Sequence, residues 1–204
     1  MPRFETYLAG GLFAAGLAVV AAYGLSQTAQ AQGFEDGPGP NLVIEVAGQA
    51  NGTIVIDLLP DVAPLHVAQI TALASEGSYD NVVFHRVIDG FMAQTGDVSN
   101  GKAGGDLSMA GMGGSALPDI PAEFSTELSF QRGVVGMARS QDPNSANSQF
   151  FIMFAPGEFL DGQYTIVGNV VSGMEIVDAI KRGDGQNGEV SSAPDVMVKV
   201  TVQP

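Results

Sequence analysis

Short β-branched runs, each stopped by glycine, proline or asparagine, recur along most of this chain, and that punctuation limits it to a fold of many brief strands. Leu42-Val43-Ile44-Glu45-Val46 and Thr53-Ile54-Val55-Ile56-Asp57-Leu58 flank a turn at Gln49 to Gly52 containing Asn51-Gly52, the pattern of a β-hairpin. Further runs fall at 82–87, 91–94, 134–138, 149–154, 164–171 and 196–202. Only two stretches carry helical spacing. Pro64 opens one, whose Val67, Ile70, Leu73 and Ala74 form a stripe that ends at Gly77; Met174, Ile176, Val177 and Ile180 mark the other, which stops at Gly183. Eight strand runs with two helices, too few to cover an open sheet, predict a mostly β fold: a closed eight-stranded antiparallel barrel capped by two α-helices. Residues 99–121 carry six glycines in 23 residues and no periodicity, which predicts a long surface loop.

The first forty residues read differently. Residues 7–25 are an uncharged run of 19, and Ala29-Gln30-Ala31 after it has the small-x-small form of a signal-peptidase site. Six alanines and four glycines make the run weakly hydrophobic, a poor permanent span. Residues 1–31 are therefore expected to be a signal peptide, with an N-terminal membrane anchor as the alternative. Residues 32–40, rich in Gly and Pro, read as a flexible tether, and residues 41–204 as the folded domain. The expected location is a bacterial periplasm, or the inner membrane facing it if the anchor is retained.

Composition removes whole classes of function. With 8 Lys and Arg against 22 Asp and Glu, the formal charge of -14 repels a phosphate backbone, so nucleic acid is not an expected partner. Zero cysteines exclude a disulfide framework and a thiolate nucleophile, and two histidines leave little for a metal, so no metal or cofactor is expected. A nucleophile elbow, a phosphate-cradling GxxxxGK and a GxGxxG after a strand are all missing.

Two long motifs remain. One is Phe84-His85-Arg86-Val87-Ile88-Asp89-Gly90-Phe91-Met92-Ala93-Gln94-Thr95-Gly96-Asp97; the other runs from Met137-Ala138-Arg139 through Asn147-Ser148-Gln149-Phe150-Phe151-Ile152. With Phe159-Leu160-Asp161-Gly162-Gln163-Tyr164 and Val171-Ser172-Gly173-Met174, they resemble the cyclophilin family of peptidyl-prolyl isomerases over 41–203, in the family's order. The chain is similar to bacterial, exported members. The resemblance implies the barrel already expected from element counts, and rotation about X-Pro bonds in proline-containing polypeptides, by a monomer without a cofactor. A proline-peptide-binding chaperone or adaptor using the same groove is the alternative.

The residue types suit that chemistry. An amide resists rotation by about 18–20 kcal/mol because its nitrogen lone pair is delocalised into the carbonyl, and a guanidinium aimed at that nitrogen localises the pair. The resemblance makes Arg86, Phe91 and Gln94 the catalytic set, with Gln94 orienting the arginine. It makes Met92, Phe151, Phe159, Leu160 and Tyr164 parts of the substrate pocket and its rim, Ala138 and Arg139 a segment whose backbone binds peptide, and Gln149 a further rim contact. Phe84 and Phe150 read as core. His85 reads as a structural, hydrogen-bonded residue, since amide rotation moves no proton, and His66 as a surface or packing residue of the first helix. Phe159 stands where many eukaryotic members carry Trp, and Tyr164 where they carry His, which implies weak cyclosporin binding with the isomerase chemistry kept.

Overall fold

The computed structural model describes residues 34–204, so the segment expected to be a signal peptide or anchor lies outside the described residues. The hairpin is β1 (Asn41–Ala47) and β2 (Gly52–Leu58), paired antiparallel with Val43 opposite Val55. Its alternation places Leu42, Ile44, Val46, Ile54 and Ile56 on the buried face. The remaining strands are β3 (Val82–Val83), β4 (Arg86–Ile88), β5 (Met92–Thr95), β6 (Val134–Met137), β7 (Phe150–Met153), β8 (Ile166–Ser172) and β9 (Val196–Gln203). All pair antiparallel in the order β3-β9-β1-β2-β8-β6-β7-β5-β4. The end strands of that order, β3 and β4, are parts of one stretch of chain separated only by Phe84 and His85, so the sheet curls round onto itself.

Nine strands replace the expected eight because the run 82–87 divides in two. Between the halves, Phe84 donates its N–H to the Asp195 carbonyl at 2.9 Å and His85 accepts from Val190 at 3.0 Å. These two residues turn to the C-terminal segment instead of continuing either ladder. The outer edge of β4 is covered rather than open: Gly183 N–H bonds the Val87 carbonyl at 2.8 Å, so the segment from Gly183 to Val190 closes that edge.

The first helix, α1 (Pro64–Ser75), is the expected one, with Val67, Ile70, Leu73 and Ala74 buried. His66 is fully buried, which excludes a surface role; its Nδ1 lies 2.6 Å from the Glu123 carboxylate, and the same carboxylate accepts the N–H groups of Leu65 and His66. A carboxylate thus satisfies open donors of the first helical turn, where the helix dipole favours negative charge. The second helix, α2 (Met174–Ala179), ends sooner than its apolar spacing suggests, because Ile180 is already extended at φ -56°, ψ 132°.

One cluster of buried side chains receives a residue from every strand, Leu42, Ile54, Val82, Val87, Ala93, Val135, Phe150, Val167 and Met197 among them, and takes in the apolar stripe of α1. That is the interior of a curled sheet. A second, smaller cluster, Met92, Phe130, Val134, Phe151, Met153, Leu160 and Ile166, lies on the opposite face of some of the same strands. Phe34 packs against this second cluster, and Gly37 N–H donates to Asp57, so residues 34–40 run along the domain.

Candidate active site

Strand alternation builds the site. On β4 and β5 the facing residues are Arg86 and Gln94, and Gln94 in turn faces Phe151 on β7. Their neighbours Val87, Ala93, Phe150 and Ile152 point the other way, into the interior. One step in register would exchange the two sets, so the apolar core that fixes the register also fixes the site.

Arg86, Phe91, Met92, Gln94, Ala138, Arg139, Phe151, Phe159, Leu160 and Tyr164 line one pocket of about 260 Å³. Its floor is aromatic: Phe151 stacks on Phe130 at 5.7 Å between centroids, and Tyr164 stands edge-on to Phe151 at 5.8 Å. Gly136 makes that stack possible, since a Cβ there would lie 2.6 Å from both Phe130 and Phe151. Phe91 and Phe159 approach at 5.6 Å on the opposite rim, where Phe159, carried on the turn Glu158–Leu160, is 65% exposed. Of the residues singled out from the sequence, Gln149 alone is off this pocket. It lines a neighbouring groove of about 550 Å³ that also borders Gln94, Ala138 and Arg139.

Polar bonds run from the pocket into that groove. Arg86 Nη1 donates to Gln94 Oε1 at 3.2 Å, and Arg86 Nε to the Asn187 carbonyl at 2.9 Å. Gln94 Nε2 donates to Gln149 Oε1 at 2.9 Å. Gln149 Nε2 donates onward to the carbonyls of Gly111 and Gly113, at 3.0 and 2.7 Å. Those two glycines are pinned by Asp97, whose carboxylate accepts their N–H groups at 2.8 and 2.9 Å together with the N–H groups of Ser99 and Asn100. Asp97 is fully buried with N–H and O–H donors around it, and although burial raises a carboxyl's pKa, these donors outweigh it and hold Asp97 below the usual value. The glycine-rich stretch is therefore tied down at one end of a relay that ends on Arg86. Burial also pulls the Arg86 pKa below that of a free arginine, against the nearby Tyr164, yet a guanidinium remains charged at neutral pH.

Asp97, Gly111, Gly113, Asn187 and Phe130 are absent from the sequence-derived set. Asp97 closes the first motif, and an acidic residue two positions beyond β5, at the start of a glycine-rich loop, is the one signal that could have marked it. Nothing local marks Asn187, whose left-handed backbone, φ 57°, turns its carbonyl towards Arg86. His85 is buried as expected of a structural residue, but both ring nitrogens lack hydrogen-bond partners among the described residues. Its ring lies against the backbone of Gly111, and burial pushes its pKa down.

Comparison with known proteins follows the same lines. The family model of cyclophilin type peptidyl-prolyl cis-trans isomerase/CLD matches residues 42–202. A Brucella suis protein named as a probable peptidyl-prolyl cis-trans isomerase is 60% identical over 156 residues, which is 75% of this chain and 79% of that protein. A cyclophilin from Hirschia baltica superposes with a TM-score of 0.63 at 26% identity, over 79% of this chain and 73% of its own. A Cryptosporidium parvum cyclophilin type peptidyl-prolyl cis-trans isomerase, crystallised in the presence of the dipeptide Ala-Pro, gives 0.68 at 25% identity, over 80% and 99%. A family match across nearly the whole described domain, carried by the same strands that form the pocket, makes this chain a member of the cyclophilin-type peptidyl-prolyl cis-trans isomerases.

Proposed function

We propose that Arg86 drives the isomerisation by stabilising the twisted amide of a proline held against Phe151, Met92 and Leu160. The supporting observation is the way the guanidinium is held at the pocket: three of its N–H groups are committed, to the Asn187 carbonyl, to Gln94 and to the Met92 sulfur, which leaves Nη2 for a substrate. As the X-Pro bond rotates, the prolyl nitrogen turns pyramidal and its lone pair becomes an acceptor. A fixed donor that meets it gains strength along the rotation and lowers the barrier. Gln94 and Gln149 hold Arg86 in that orientation before substrate arrives, so little reorganisation is needed during rotation. The aromatic wall excludes water that would otherwise compete for the guanidinium. The Ala-Pro dipeptide present with the Cryptosporidium relative supports reading the pocket as a site for proline-containing peptides.

Removal of the guanidinium tests this directly. Arg86→Ala is expected to lower kcat/KM on proline peptides by about 10² to 10³-fold, with peptide binding and the unfolding midpoint close to wild type. Full activity in a folded Arg86→Ala protein would end the assignment.

Export to a periplasm is the proposed setting, and it rests on the sequence of residues 1–31. An intact mass from the native host should start near Gln32; a mass that includes residues 1–31 would favour the anchor instead.

A further inference from the structure

Charge at the pocket runs against the rest of the molecule. The chain has 22 acidic and 8 basic residues, yet the pocket lining contains Arg86 and Arg139 and no carboxylate. Outside the pocket, Arg132, Arg182 and Lys199 are each paired with an aspartate, while Lys102 and Lys181 donate to backbone carbonyls. Arg86 and Arg139 are likewise held by neutral oxygens, and they are the two cations that line the pocket. The two for Arg86 are those of Asn187 and Gln94, while Arg139 donates from Nε and Nη2 to the Gln163 carbonyl and from Nη1 to the Ser140 carbonyl, at 2.8 to 3.1 Å. Carbonyls fix where a guanidinium sits and leave its charge uncancelled. The Arg139 plane is set further by the Tyr164 ring, with Cζ 4.4 Å from the centroid. Tyr164 is the same ring that stands against Phe151, so Arg139 is mounted on the wall of the pocket itself.

We propose that the Arg139 side chain determines specificity: with Arg86 behind it, it selects proline segments that carry an acidic side chain next to the proline and disfavours those that carry a basic one. This rests on the reading of the pocket as the proline site. Arg139 borders both the pocket and the neighbouring groove, so an extended peptide crossing from one to the other passes its guanidinium. Two of its N–H groups remain uncommitted, and a carboxylate accepts them in a charge-assisted pair. Asp119 lines the groove and not the pocket, and it already takes an amide proton from Asn147. The overall charge of -14 repels an acidic peptide at a distance, but at physiological ionic strength charges beyond about 8 Å are largely screened. Inside the pocket the two guanidinium groups set the field.

The test measures kcat/KM by NMR exchange for two peptide series, one with Glu, Gln or Lys immediately before proline and one with the same residues immediately after it. We expect Glu to exceed Lys by about three- to tenfold in at least one series at low salt, with the ratio shrinking towards one at high salt. Arg139→Gln should erase the ratio, and Arg139→Lys should keep part of it. The ratio is taken within each variant, so a change in the amount of folded protein does not move it. Equal rates for Glu, Gln and Lys in both wild-type series would overturn the proposal, as would a ratio unchanged by salt or by Arg139→Gln. Wild type that isomerises none of the peptides would overturn the proline-pocket reading as well, an outcome distinct from activity without charge preference.

Discussion

Phe150 and Phe151 are neighbours on β7 with the same side chain and opposite surroundings. Phe150 faces inward and meets Tyr79 edge-on at 5.7 Å, inside the cluster to which every strand contributes. Phe151 faces outward, stacks on Phe130 and forms the floor of the pocket. The inner face is apolar and is specified by volume. Buried polar groups border it at only a few points, such as the Tyr79 hydroxyl, which donates to the Ser148 carbonyl at 2.8 Å. On the proposed mechanism the outer face needs position more than volume: its aromatic floor serves only if Arg86 stands beside it, and bonds from the guanidinium to the Asn187 and Gln94 carbonyl oxygens hold Arg86 there. A single strand thus packs the interior with one face and lines the pocket with the other, and the two-residue repeat of a β-strand keeps the two sets of side chains separate.

Truncating each phenylalanine tests that separation most severely. Phe150→Ala should cost about 3–5 kcal/mol in urea unfolding, because it leaves a cavity in a closed interior, while activity per folded molecule stays within about twofold of wild type. Phe151→Ala should weaken peptide binding and lower the rate together, since it removes a wall that ground and transition states both touch. Equal losses of activity per folded molecule in the two variants would show that the faces are not independent.

Asp97 sharpens the comparison, because it is a buried charge that serves the outer face from below. Asp97→Asn should cost about 2–4 kcal/mol, since a neutral amide supports the N–H groups of Gly111, Gly113 and Asn100 less well than a carboxylate. The pH dependence has a definite sign. The unfolded chain protonates Asp97 near 3.8 and the folded chain only at lower pH, so wild-type stability is full above that value and falls as pH drops through the depressed folded pKa. The variant should lose this part of the acid dependence; chemical denaturation from pH 6 down to about 2.5 measures it, and an unchanged pH slope would remove Asp97 from the account.

The smallest expected effect is on the relay itself. Gln149→Leu cuts the link between the glycine stretch and Gln94, and kcat/KM should fall about tenfold with Arg86 present but less constrained. Full activity in this variant would mean that Arg86 needs no support beyond its own bonds to Gln94 and Asn187.

What could be read from the sequence follows the range of the interactions. The hairpin was legible because Asn51-Gly52 and its flanking alternation are local, and α1 because one stripe between Pro64 and Gly77 is local too. The division at Phe84-His85 was not, since it is made by bonds to Asp195 and Val190, more than a hundred positions away. The pocket side chains came from motif resemblance, which locates residues without saying what holds them. Asn187, Gly111 and Gly113 contribute only backbone groups, which carry little residue-type signal, so their part in the site appears only in three dimensions. The burial of His66 depends likewise on Glu123, which reaches it from a segment with no periodicity of its own.

The position of β9 bears on when this protein can fold. β9 lies between β1 and β3 in the sheet, and Asn41 near the start of the domain pairs with Gln203 near its end. The first strand therefore has one of its two neighbours missing until the last residues are available, and a ribosome that has released the hairpin has not yet released its partner. Contacts that span the whole domain are slow to form. While β9 is absent, β1 exposes a row of unpaired N–H and C=O groups to any other strand it meets. Loss of residues 196–203 would consequently do more than shorten the chain: it would leave a persistent sticky edge in place of a transient one.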